Sequence, residues 1–410
     1  MNLQQARLDQ QQLGTNAEPI KRMWLLIIGI IFIAANLRAP LTSIGPLITS
    51  IRDSLGLSNT VAGTITTVPL LAFALLSPFV PKLSKRFGME LVLLTSLLVL
   101  TVGIILRSLA GVGALFAGTI LLGLSIAVCN VLLPSLIKQN FPQKIGVMTG
   151  VYTVSMNLCG AIASGVSIPI SSSLGLGWKG ALGCWGILSF LTILIWTQQF
   201  NNRRKAGQTE NNEHHTRSIN LWRSRIAWKV TLFMGLQSFI YYTLITWLPE
   251  ILQQQGLNSN SAGWLLSLMQ FVILPFTFIV PILAGRMKNQ RLLVIITSVL
   301  FTAGISGILN GSTILSLLGV ILVGIGGGFA FSLAMMFFSL RTQSSQQAAE
   351  LSGMAQSVGY LLAAVGPTMF GLLHDVTSSW TIPLLMLIVA SILILIFGMD
   401  AGKNEYVSVE

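Results

Sequence analysis

Charge is what this sequence has least of. Asp, Glu, Lys and Arg make up 9% of its 410 residues, against about 25% in a soluble domain. Acids are the scarcer sign, 12 against 24 basic residues. Glu250, His374, Asp375 and Glu350 sit at the ends of apolar runs, so no central carboxylate or imidazole offers the usual intramembrane proton relay. The three cysteines, Cys129, Cys159 and Cys184, fall inside apolar runs. Their spacing fits neither a disulfide framework nor a metal site, and they read as small buried hydrophobes. His214 and His215 are neighbours with no further ligand in view, and no His-Glu-x-x-His pattern occurs, so neither a metal nor any other cofactor is expected. The lack of a Walker A sequence argues against ATP-driven chemistry by this chain. Gly324-x-Gly326-x-Gly328 lies in a long apolar run without strand–turn–helix context, so it reads as close helix packing. The segment from Met1 to Ile20 is polar and Gln-rich, without the layout of a secretory signal.

What fills the chain is apolar sequence: 53% hydrophobic, mean hydropathy +0.78. A helix needs about 20 apolar residues to cross a bilayer. The runs predict spans at 23–49, 59–80, 89–108, 112–137, 145–172 and 179–199, then 228–254, 261–284, 290–309, 313–339, 348–373 and 379–399. The expected organisation is a disordered cytoplasmic tail (1–22), a six-helix bundle (23–199), a cytoplasmic linker (200–225), a second six-helix bundle (226–399) and a short cytoplasmic tail (400–410). The linker's Arg203, Arg204, Lys205, Arg217, Arg223 and Arg225 read as a solvated connector. The net charge of +12 does not indicate nucleic acid, because the basic residues fall in short loops. With both termini inside, Lys82, Lys85, Arg86, Lys138, Lys144, Arg286, Lys288, Arg291 and Arg341 face the cytoplasm. Only Arg52, Arg107 and Lys179 face out, as the positive-inside rule requires.

The halves repeat. Ala62-Gly63 recurs as Ala262-Gly263, and Val80-Pro81 as Val280-Pro281, each 200 residues on (262 − 62 and 280 − 80). A short basic loop follows each. Parallel repeats of this kind form two bundles about an axis along the membrane normal, with a substrate site between them near the midplane.

One charge falls well inside an apolar run: Arg38, in Asn36-Leu37-Arg38-Ala39-Pro40-Leu41-Thr42-Ser43-Ile44-Gly45-Pro46. Moving arginine to the bilayer centre costs about 2.5–3.5 kcal/mol on insertion scales. It lies about fifteen residues from the start of its span, about 22 Å along a helix, too far to snorkel. Ala35, Arg38, Thr42 and Gly45 share a helix face. Asn36 points elsewhere, toward a neighbouring helix, and Pro40 and Pro46 bend the helix. A guanidinium suits a planar anion through two parallel hydrogen bonds and also stacks on aromatic rings. Candidate partners from other helices are Asn130, Tyr152, Gln237, Tyr241, Gln356 and Tyr360, the last four being two Gln/Tyr pairs four residues apart. For each, interhelical bonding is the competing role. His374 and Asp375 are the candidate coupling pair; the alternatives are that an anionic substrate carries the proton or exchanges.

The Asn36–Leu47 motif with Ile51-Arg52, Leu132-Leu133-Pro134-Ser135-Leu136-Ile137-Lys138, Ile245-Thr246-Trp247-Leu248-Pro249, Gly324–Phe329 and Met354-Ala355-Gln356 together carry a resemblance. The chain resembles the major facilitator superfamily and, within it, the cyanate/nitroimidazole porter family. That implies an all-α integral membrane fold of twelve helices in two pseudo-symmetric six-helix bundles, multi-pass in the inner membrane of a bacterium and monomeric. It also implies a secondary transporter for a small polar or anionic organic solute, either a cyanate-like anion or a nitroimidazole-like heterocycle. The loops after the second helix of each half (Arg86 and Gly88; Arg286) correspond to the superfamily's conformational loop. Here Lys85 stands where the signature has Asp, which puts an acid-based latch between the halves in doubt. An efflux porter for drugs or metabolites is the alternative of the same fold. A membrane scaffold or a channel is less favoured, and an intramembrane enzyme lacks polar catalytic groups at depth.

Overall fold

Apolar runs of this length have one solution in lipid, because every backbone N–H and C=O must be satisfied within the segment. In the computed structural model, which describes residues 3–57, 59–109, 111–206 and 221–408, the long elements are accordingly all helices. In the first half they are α1 (Leu3–Thr42), α2 (Ile48–Leu55), α3 (Asn59–Leu76), α4 (Val80–Phe87), α5 (Met89–Arg107), α6 (Val112–Asn140), α7 (Ile145–Ile168), α8 (Gly177–Gly183) and α9 (Trp185–Ala206). In the second they are α10 (Arg225–Gln254), α11 (Ser259–Arg286), α12 (Arg291–Asn310), α13 (Thr313–Leu340), α14 (Ser345–Thr377) and α15 (Thr381–Ala401). Among the described residues, eleven segments are long and apolar enough to cross a membrane, and the bent pair α3/α4 makes a twelfth when taken as one span.

The departures from twelve plain rods lie at prolines and glycines. Span 59–80 is not continuous: the chain bends by 58° between α3 and α4, where Pro78 and Pro81 remove donors and disfavour helix before them. The first span ends at Thr42, passes through a 3-10 turn at Gly45–Leu47 and resumes as α2, which Gly56 terminates in the left-handed region (φ 63°). Pro169 opens a π-turn at the end of α7. The backbone is helical from Leu3, where the sequence reads as a disordered tail; Leu, Gln, Ala and Arg there are good helix formers. Most of the linker, 207–220, with His214 and His215, lies outside the described residues.

The repeat is visible in the packing. Gly103 of α5 meets Gly118 of α6, and a Cβ on Gly118 would stand 2.6 Å from Gly103 O and 2.4 Å from Arg107 N. Gly304 of α12 meets Gly319 of α13 in the same way, with Gly304 O at 2.5 Å and Ile308 N at 3.0 Å. Both glycines lie 201 residues on (304 − 103 and 319 − 118). These backbones touch because no side chain intervenes. Gly319→Leu is therefore expected to destabilise the second bundle by about 3 kcal/mol or more, read as a lowered melting temperature by fluorescence-detected size exclusion.

The halves join at the ends of their helices on the face carrying the basic loops. A Cβ on Gly146 of α7 would stand 2.4 Å from Pro281 O of α11, and one on Gly353 of α14 2.6 Å from Ser77 O. Thr153 Oγ1 donates to Thr277 O (2.7 Å), Ser357 Oγ to Ala74 O (2.6 Å) and Ser135 Oγ to Ser345 O (2.6 Å). Lys138 Nζ crosses from α6 to Ser339 O (2.7 Å), Thr342 Oγ1 (2.9 Å) and Thr342 O. This seal is built from hydroxyls, carbonyls, one lysine and one carboxamide, Gln346 Nε2 donating to Pro81 O (3.4 Å). The ion pairs Arg52–Asp53, Lys229–Asp400 and Lys403–Asp400 each stay within one half. Lys85 and Arg86 are exposed, with Arg86 over the Phe87 ring at 5.1 Å. Gly88 supplies the positive φ (84°) that ends α4, and exposed Arg286 ends α11.

Two arginines counted as loop charges are buried instead. Arg341 is 2% exposed and donates to Gln290 Oε1, while its carbonyl accepts from Val407 N (2.8 Å) and so ties the C-terminal tail to the basic face. Burial pushes its guanidinium down to about 10, which leaves it charged at neutral pH. Arg107, at the end of α5, has no exposed surface at all.

Candidate functional site

Arg38 lies in the middle of its membrane segment, Met23–Leu47. Its Cβ rests on α7, where a Cβ on Gly160 would come within 3.0 Å of it. Glycine at 160 lets α1 approach closely enough for the guanidinium to reach the space between the halves. There Arg38 Cζ stands 5.7 Å from the ring centroid of Tyr241 (α10) and 5.9 Å from that of Phe331 (α13), within cation–π range. Tyr242 and Tyr360 (α14) are also close enough to interact with it electrostatically.

Arg38 and Asn157 line the pocket from the first half. Gln237, Ser238, Tyr241, Tyr242 and Tyr360 line it from the second, with Ile273, Gly327 and Phe331 completing the wall. The lining contains no Asp, Glu or His, so Arg38 is its one charge. Gln237 Nε2 donates to Ser238 Oγ (2.7 Å) and Asn157 Nδ2 to Thr153 O (2.9 Å), so both amides are held in place. The free space the lining encloses is about that of a single water molecule. A fixed cation with neutral donors and aromatic rings suits a small, flat solute with an electron-rich edge, and the lining must part from the state described to admit it.

Of the eight residues expected to bind substrate, the pocket gathers Arg38, Gln237, Tyr241 and Tyr360. It does not gather Thr42, Asn130, Tyr152 or Gln356. Thr42 Oγ1 donates to Gly160 O (2.7 Å), so this hydroxyl joins α1 to α7 instead of facing a ligand. Tyr152 and Gln356 are each 1% exposed and lie nearer the basic face than Asn157 and Tyr360 on the same helices. Gln356 Nε2 donates to Ser352 Oγ (2.8 Å), and its Oε1 is buried without a partner. Asn130 lies in α6, outside the lining. Asn36 does bond a neighbouring helix, donating to Thr192 Oγ1 of α9 at 2.7 Å.

His374 and Asp375 lie far from the pocket, in the last turn of α14. Their Nδ1 and Oδ1 atoms are 3.7 Å apart, and the imidazole stacks on Trp380 at 3.9 Å beside Phe370. Sequence reasoning missed Asn157, Ser238, Ile273, Gly327 and Phe331. Asn157 had a legible signal, a carboxamide in an otherwise apolar run. Phe331 and Ile273 had none, because apolar residues that face a pocket look like those that face lipid.

The Major Facilitator Superfamily model matches residues 24–367. The chain is 49% identical over 389 residues to a protein of Bacillus subtilis (strain 168) described as an uncharacterized transporter, covering 95% of this chain and 96% of the relative. It is 39% identical over 385 residues to the 2-nitroimidazole transporter of Escherichia coli (strain K12), covering 94% and 97%. Among solved structures, the proton:xylose symporter XylE superposes with a TM-score of 0.76 at 13% identity, covering 95% of this chain and 98% of that one, a likeness of fold. The internal repeat, the membrane-spanning helices and these matches agree: the chain belongs to the Major Facilitator Superfamily and, within it, to the cyanate/nitroimidazole porter family.

Proposed function

We propose that this transporter moves a small planar solute bearing a carboxylate, nitro or similar pair of oxygens, by alternating access between its two bundles. The observation that carries this is Arg38, a guanidinium without a carboxylate partner in the lining and flanked by Tyr241, Tyr242, Tyr360 and Phe331. The fork donates to the oxygen pair while a ring slots among the aromatics. The kinship to a 2-nitroimidazole transporter supports this class, since that solute combines a flat ring with a nitro group. The positive-inside pattern supports a cytoplasmic basic face. The conformation described is then sealed inside, with the Arg38 pocket on the outer side of the seal. Tyr152 and Gln356, buried under that pocket, become part of its lining when the seal opens.

The test is a thermal-shift screen of purified protein against 2-nitroimidazole, cyanate, nitrite and small aromatic carboxylates, followed by uptake of the hits into proteoliposomes. A shift confined to solutes without an oxygen pair would sink the proposal. Because the lining holds no Asp, Glu or His, affinity for a permanently charged hit should stay flat between pH 5 and 8. For a weak acid it should follow the solute's own ionisation. Titration calorimetry across that range checks this, and a step in the affinity of the permanent anion would point to a coupling group such as His374.

A further inference from the structure

Arg107 is a fully buried arginine of the first half, and nothing above gives it a task. Its side chain has no exposed surface. Nη1 donates to Pro40 O at 2.7 Å, while Nε and Nη2 are buried without a partner. A guanidinium with two unclaimed donors is an unfavourable choice for a helix crossing.

The internal repeat shows that the crossing does not require it. Gly118 packs on the backbone of Arg107, and Gly319 packs on the backbone of Ile308, 201 residues further on (319 − 118 and 308 − 107). The same joint in the second half therefore carries a fully buried isoleucine. What differs is the first helix of each half. α1 ends at Thr42, so Pro40 O belongs to a last turn whose carbonyls need other partners; Ser43 Oγ donates to it locally at 3.2 Å, and Arg107 Nη1 is the shorter bond and the one that comes from another helix. α10 runs on to Gln254. Pro40 also lies two residues from Arg38.

We infer that Arg107 is a positioning residue: by holding Pro40 O it fixes the last turn of α1 and thereby aims Arg38 into the pocket. Cationic side chains near a helix C-terminus bond the last carbonyls and suit the dipole there. The inference rests on the proposed role of Arg38.

Arg107→Ile copies the second half's solution and removes a buried charge, so the protein should fold and keep its melting temperature. Two readouts then decide. Hydrogen–deuterium exchange in peptides covering 39–47 needs no substrate, and it should speed up in Arg107→Ile and return toward wild type in Arg107→Lys. In proteoliposomes, the apparent KM for 2-nitroimidazole should rise about tenfold with Vmax little changed, and Arg107→Lys should recover most of it. Unchanged exchange in Arg107→Ile would overturn the inference, as would faster exchange with an unchanged KM. An Arg38→Ala arm separates the two ideas. If that variant retains 2-nitroimidazole transport, the pocket assignment fails by itself, whatever Arg107 does to the exchange of α1.

Discussion

Arg38→Ala is expected to abolish high-affinity binding of the transported solute, and to do so without unfolding the protein. Truncating one side of a desolvated, hydrogen-bonded charge pair costs about 2–5 kcal/mol, a loss of about 30-fold to several thousand-fold in affinity. Stability should not fall with it. Arg38 faces a pocket lined by no acid, so its removal strands no buried carboxylate, and the melting temperature of the ligand-free protein should hold or rise. Arg38→Lys keeps the charge but replaces a rigid fork by a single hydrated ammonium, so it should recover only a small part of the affinity. Phe331→Ala should cost less, since a cation–π contact contributes about 0.5–2 kcal/mol, and Tyr241→Phe less again, because it keeps the ring beside Arg38 and removes only the hydroxyl. Calorimetry on the purified variants measures the series, and proteoliposome uptake confirms it. Arg38→Ala binding within threefold of wild type would remove the guanidinium from the mechanism and favour a scaffold-like role in which α1 merely tolerates a charge.

How much of this was legible in the sequence follows from which properties are local. The spans were legible because a bilayer demands long apolar runs. The two halves were legible because Ala62-Gly63 and Val80-Pro81 repeat at a fixed offset. Arg38 stood out because a charge in an apolar run is costly. Gln237, Tyr241 and Tyr360 followed from helical spacing. Thr42 and Gln356 obey the same spacing yet miss the pocket, for reasons set by other helices: Gly160 O takes the Thr42 hydroxyl, and the seal between the halves covers the turn of α14 that holds Gln356. Arg107 was misplaced for the converse reason. A charge at the end of a span looks like a loop charge unless one knows that the carbonyl of Pro40, 67 residues away, lies beside it. Pairings of that kind are tertiary, and one chain read alone does not display them.

The seal on the basic face gives the other large effect. In Gly146→Leu a Cβ would stand 2.4 Å from Pro281 O and 3.1 Å from the carbonyl carbon. Both are backbone atoms inside α11, so no flexible side chain can turn aside. A few tenths of an ångström would not suffice; α7 and α11 must part. Moving a two-state equilibrium from 1:99 to 99:1 takes about 5.5 kcal/mol, and a backbone overlap of this size, enlarged by the rest of a leucine, is of that order. Each bundle should still fold, because the atoms met are those of Pro281 and Ile282 in the opposite half. The variant should therefore reach the membrane, fail to adopt the state sealed on this face, and transport at background level. Gly165→Leu on the same helix is the control, since a Cβ there meets nothing within 4 Å, and it should transport normally. Maleimide labelling of Ser238→Cys, in a background with Cys129, Cys159 and Cys184 replaced by serine, gives the conformational readout: the face from which the pocket is labelled should switch in Gly146→Leu. Alternating access makes that switch obligatory, because a protein barred from sealing one side must seal the other to avoid a leak. A steady solute current through Gly146→Leu would instead show a channel, and uptake near the wild-type rate would show that closure between α7 and α11 is no part of the cycle.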